Sequence, residues 1–140
     1  MNTKNQKPAA CSQEVAEVEF ERFADAMDLD VNMSKMSEDD RQSFEPMKRR
    51  VVEAIIAGSV TINEKGEPVF RPAKSEPAEI VFHEPKGSAL MAMDARKKGQ
   101  DVAKLYALMG EITGLPAVTF ANMLNRDLKI AQAIVTLFLA

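Results

Sequence analysis

The sequence predicts an α+β, mainly α fold: a small helical bundle with a β-hairpin and one further short strand. Three observations predict it. Apolar residues recur at helical spacing, most clearly over Asp101–Thr113 and Asp127–Ala140. Two short runs, Ser59–Ile62 and Val69–Phe70, flank the turn-like sequence NEKGEP, and a third run, Glu79–His83, follows them. The chain has 140 residues, 46% hydrophobic and 28% charged, which suits one domain with or without a tail.

Residues 1–13 are polar, contain Pro8 and show no periodicity, so they read as a disordered tail. Residues 14–71 form a helical region plus the β-hairpin. Glu14 to Met27 is helical in pattern, with Val15, Val18, Phe23 and Met27 on one face, although EVAEVEF also suits an extended chain. DLDVNMSKM at 28–36 reads as a loop. Ser37, with Asp40 three residues on, resembles a capping box. Phe44, Met47, Val51, Ala54 and Ile55 then share one helical face. Pro46 belongs in a first turn rather than an interior. The pattern therefore predicts a short turn at 38–44 and a main helix at 45–57, capped by Ser43 and ended by Gly58. In the hairpin, Gly66 supplies a positive φ and Pro68 marks an edge strand. Residues 72–78, with Pro72 and Pro77, read as a linker.

The rest, 79–140, reads as a strand plus a helical module. EIVFH is the strand, and Pro85 and Gly87 turn the chain. Ser88–Lys97 is helical, with Leu90, Met91 and Met93 apolar, and Gly99 breaks it. Asp101–Thr113 is amphipathic, with Val102, Leu105, Tyr106, Leu108, Met109 and Ile112 on one broad side. Gly114 and Pro116 stop it, and a short helix at 117–124 precedes the last one.

That last helix is unusually apolar. Lys129, Gln132 and Thr136 make a narrow polar stripe. Ile130, Ile134, Leu137 and Phe138 lie opposite and face the core. Leu128, Val135 and Leu139 widen the apolar arc to roughly 200°, against about 100° for a surface helix. Such a helix needs neighbours on two sides, from its own bundle or from another protein. Leu128, Val135 and Leu139 are the candidate partner contacts, with Ile134 and Phe138 beside them. On this reading Val135→Asp impairs partner binding more than folding.

Catalytic chemistry finds no foothold. His83 is the single histidine and Cys11 the single cysteine, set in a polar stretch, so neither a nucleophile–base pair nor a zinc site is predicted. Asp28, Asp30, Asn32, Ser34 and Asp39 fall at EF-hand ligand spacings. Met33 stands where that loop needs glycine, however, and Asp39 where it needs a longer glutamate. No metal and no cofactor are predicted, and the six glycines form no phosphate loop. The net charge of −3 gives no general affinity for nucleic acid or membrane, and the basic runs 48–50 and 96–98 lack interleaved aromatics. Residues 14–40 carry ten acids against Arg22 and Lys35, and 41–50 carry four cations against Glu45. With no apolar run of about 18 residues and no signal-like N-terminus, the expectation is a cytoplasmic protein. Nine methionines and few aromatics suit an adaptable core or a surface that re-packs against partners.

The second half resembles the small tail assembly chaperones of long-tailed bacteriophages. The resemblance rests on His83-Glu84-Pro85 at the strand end, Thr113-Gly114-Leu115-Pro116 after the long helix, and Arg126-Asp127-Leu128 opening the last one. It covers residues 79–140, and residues 1–78 exceed the usual length of such proteins. The resemblance implies a non-enzymatic protein of the host bacterial cytoplasm, absent from the finished virion. Its implied partner is the hydrophobic, helical tape-measure protein, with the tail-tube protein as a further candidate and homo-oligomers as another. A minor structural tail component and a small DNA-binding regulator are the alternatives.

Overall fold

The computed structural model describes residues 9–94 and 101–140. The expected break at Gly99, the basic run 96–98, the end of the Ser88–Lys97 helix and tail residues 1–8 lie outside the described residues. Six helices and one three-stranded antiparallel sheet make up the described chain: α1 Gln13–Ala26, α2 Glu38–Ala57, β1 Val60–Ile62, β2 Pro68–Phe70, β3 Ile80–Val81, α3 Gly87–Asp94, α4 Asp101–Thr113, α5 Ala117–Ala121 and α6 Asn125–Leu137. The fold is α+β and mainly α, as the sequence predicts.

The first helix starts where a side chain can satisfy its free N–H groups. Ser12 Oγ accepts from Val15 N at 3.2 Å. The preceding residues are also tied down, with Ala10 N donating to Ile56 O at 2.7 Å. The expected apolar face of α1 is rotated. Ala16, Phe20, Phe23 and Ala24 are buried, while Val15 and Val18 are exposed. Burying two phenylalanines removes far more apolar area from water than burying two valines, so the phenylalanines set the rotation.

The second helix also departs from expectation. It runs unbroken from Glu38 to Ala57 through Pro46, so Ser43 is not a cap. Ser37 is the cap, its Oγ accepting from Asp40 N at 3.1 Å, and Gly58 ends the helix in the left-handed region at φ 87°. An interior proline costs about 3 kcal/mol. Burial of Phe44, Val51, Val52, Ala54 and Ile55 outweighs it, since each large apolar side chain contributes roughly 1.5–3 kcal/mol. The carbonyl that Pro46 leaves without its helical partner belongs to Gln42, which is exposed to water.

The sheet order is β1-β2-β3, which places Pro68 in the central strand rather than at an edge. Val60 pairs with Phe70 and Ile62 with Pro68, while Phe70 also pairs with Ile80. Pro68 is the first residue of its strand, where a missing N–H removes one terminal ladder bond. Its carbonyl still accepts from Phe82 N at 2.9 Å. At the β1–β2 turn Gly66 has φ 81° and sits against Ala26, leaving no space for a side chain. Arg22 fastens the turn to α1 by donating to Asn63 O at 2.8 Å and Ile62 O at 2.6 Å.

The two-sided demand of α6 is met within the chain. The helix packs on α2 along one flank and α4 along the other. Ala131, Ala133, Ile134, Val135, Leu137 and Phe138 are all buried. Phe138 meets Phe23 of α1 edge-on, with ring centroids 5.3 Å apart. One cluster of buried side chains runs through α1, α2, the sheet, α4 and α6.

A candidate partner-binding groove

The stretch 28–36, expected as a loop, lies along the core as a strap. From Met27 to Met33 the apolar residues Met27, Leu29, Val31 and Met33 are partly buried against the core, and Asp28, Asp30 and Asn32 between them face outward. This strap continues through a 3₁₀ turn, Met33–Lys35, to Met36, which also packs on the core. Two of the polar side chains that matched EF-hand spacing bond to each other. Asn32 Oδ1 accepts from Ser34 N at 3.1 Å and from Ser34 Oγ at 2.6 Å. Among the described residues no group of three or more His, Cys, Asp or Glu side chains is placed to hold a metal ion.

Between the strap, the first half of α2 and the end of α6 lies a groove of about 410 Å³. Met36, Phe44, Met47, Leu137 and Leu139 give it an apolar lining, and Asp30 and Asp40 stand at its rim. Leu139 is 48% exposed and supplies the accessible part. Of the residues the sequence marks for partner contact, only Leu139 is exposed on this surface. Leu128 is partly buried. Ile134, Val135 and Phe138 lie inside the chain's own core, because α2 and α4 occupy both flanks of α6. Val135 is fully buried, so Val135→Asp acts on folding first. The groove residues Met36, Phe44 and Met47 escape a reading fixed on the last helix. The strict alternation of apolar and polar residues at 27–33 is the signal that would have found the strap.

A second constellation holds the module together. Asp127, in the first turn of α6, is 2% exposed. Its carboxylate accepts from Ala73 N at 3.0 Å, Lys74 N at 3.1 Å and Ser75 Oγ at 2.8 Å. Ser75 Oγ in turn accepts from Leu124 N at 2.9 Å, satisfying a donor just ahead of the helix. The stretch read as a linker is thus bonded to the start of α6, where the helix dipole also favours a negative charge.

His83 reaches Glu67 across the sheet, with Nδ1 2.7 Å from Oε2, while its backbone N–H donates to Ile112 O at 3.1 Å. Burial alone would raise the Glu67 carboxyl. Hydrogen bonds from Asn63 and His83, with the charges of His83 and Lys65, outweigh that and hold it below its usual 4.5. These contacts tie the hairpin turn to the end of β3 and to α4.

The groove thus joins an apolar floor to two carboxylates, Asp30 and Asp40. The chain belongs to the phage tail assembly chaperone family, described as tail assembly chaperone proteins E, or 41 or 14, whose family model matches residues 68–140, just over half of the chain. That family is not a class of enzymes, and a tail assembly chaperone works on protein partners. The match begins at the first residue of β2, ahead of the expected start at 79. It therefore includes the segment that Asp127 holds. No curated protein and no solved structure matches the chain. No helix among the described residues is long and apolar enough to cross a membrane.

Proposed function

We propose that the chain binds the hydrophobic, helical tape-measure protein and keeps it soluble in the host cytoplasm until the tail tube forms around it, without remaining in the virion. The family match over 68–140 carries the reading. The groove supports it physically. Methionine-lined apolar surface accommodates many helix faces, because the thioether chain is flexible and polarizable. Helix-in-groove contact gives affinity without chemistry. An exposed apolar site favours aggregation, and the exposed acids of the strap and of the first turn of α2 offset that.

Co-expression with the tape-measure protein tests the proposal. The tape measure is expected in the soluble fraction with this chain and in the pellet without it. Equal solubility in both sinks the reading. Mass spectrometry of purified particles tests the second half of the statement. Stoichiometric presence would assign the chain to the tail itself.

A further inference from the structure

The groove carries information about its occupant as well as its place. Its lining is apolar, but its surroundings are one-sidedly charged. Asp28 and Asp30 on the strap and Glu38, Asp39 and Asp40 on the first turn of α2 are all exposed. Lys35 and Arg41 are the cations on the same two segments. Among the described residues, none of the five carboxylates takes part in an ion pair. The acids of α2 favour their own helix dipole. That explains neither Asp28 nor Asp30, which lie outside any helix. The strap holds both outward because Met27, Leu29 and Val31 point inward between them. Of the five, Asp30 on the strap and Asp40 on α2 line the apolar slot itself, and the other three stand on the same two segments.

Resting on the chaperone reading, we propose that the segment this groove accepts is a basic amphipathic helix: an apolar stripe of leucine, methionine or phenylalanine, flanked by lysine or arginine. The stripe fills the space over Phe44, Met47 and Leu139, and the flanking cations meet Asp30 and Asp40. An acidic client helix is disfavoured by like charge at the rim. The charge selects among clients of equal apolarity and speeds their capture, while the apolar floor supplies the holding energy.

The test uses the full chain and two synthetic peptides of about 18 residues, or five helical turns. Both carry the same leucine stripe, one flanked by lysines and the other by glutamates. Anisotropy titrations at about 0.05 M and about 0.5 M salt compare them, since the higher salt shortens screening to a few ångströms. The lysine peptide is expected to bind about tenfold more tightly at low salt, falling to about twofold at high salt. Asp30→Asn combined with Asp40→Asn brings the low-salt ratio down to the high-salt one. Leu139→Gln weakens both peptides. Should that variant fail to fold, Thr136→Lys at the same groove gives the answer, weakening the lysine peptide selectively. Equal binding of the two peptides overturns the proposal, and so does binding unchanged by Leu139→Gln. Self-association that Leu139→Gln abolishes and the peptide competes away overturns it too, in favour of a second copy. The chaperone reading is judged separately. If the wild type keeps the tape measure soluble and the groove variants do so equally, this inference fails and the chaperone reading stands.

Discussion

At the residue scale, Asp127 shows how one side chain defines a boundary. Three hydrogen bonds converge on a carboxylate that is almost entirely buried, two of them from backbone N–H groups of residues 73 and 74. Asp127→Ala removes the acceptor of all three bonds, and water replaces it at the exposed residues 73 and 74, so the expected cost is about 1–2 kcal/mol, measured by urea denaturation. Asp127→Asn, which keeps one acceptor, is expected to cost less. Val135→Asp puts a carboxylate into a site with no partner, so the variant is expected to unfold rather than lose only its client. A native-like circular dichroism spectrum would refute this. Glu67 gives a pH dependence. Its folded carboxyl titrates below 4.5, so its contribution is fully present above that value and is lost as pH falls through the lower, folded one. The stability difference between wild type and Glu67→Gln is therefore expected to be largest above pH 4.5 and to shrink as pH falls below it. A difference independent of pH would dismiss the assignment.

At the scale of elements, local signals fixed most of the helix ends. Ser37 and Gly58 bound α2, and Gly66 makes the hairpin turn, because caps and left-handed positions depend on a few adjacent residues. What the sequence left illegible depends on distant partners. The greater apolar area of Phe20 over Val18 can be read locally, but the neighbours it turns toward, α2 and the sheet, cannot. Nothing local says that β3 will pair with the free edge of β2, which makes Pro68 part of a central strand. The groove was legible only at its α6 end, because the lining residues from the strap and α2, Asp30 to Met47, are about 90 or more positions from Leu139 and meet it only in the fold. Pro46 shows long-range packing winning over local preference, and this has a measurable consequence. Pro46→Ala restores an N–H that can bond the Gln42 carbonyl and removes ring strain within α2. The variant is expected to be more stable by about 1–2 kcal/mol, less than the full proline penalty because the unfolded chain also gains freedom. A lower denaturation midpoint would mean that the Pro46 ring packs usefully where it stands.

At the scale of the whole molecule, the excess apolar arc of α6 connects the family module to the rest of the chain. The matched stretch 68–140 contains α6 and α4 but not α2, so within it only one flank of α6 is covered. In this chain α1 and α2 supply the missing flank, with Phe23 against Phe138 and α2 along the helix. The sheet adds a second tie, since β2 pairs on one side with β1 and on the other with β3. If these contacts hold the halves together, the full chain unfolds in one cooperative transition. Residues 68–140 expressed alone then expose the α2-facing side of α6. That fragment is expected to self-associate or to bind a hydrophobic dye, and adding residues 9–67 in trans is expected to suppress both. A monomeric 68–140 fragment with the unfolding midpoint of the intact protein would show the opposite: that the N-terminal half is an independent addition, and that α6 never needed its second neighbour.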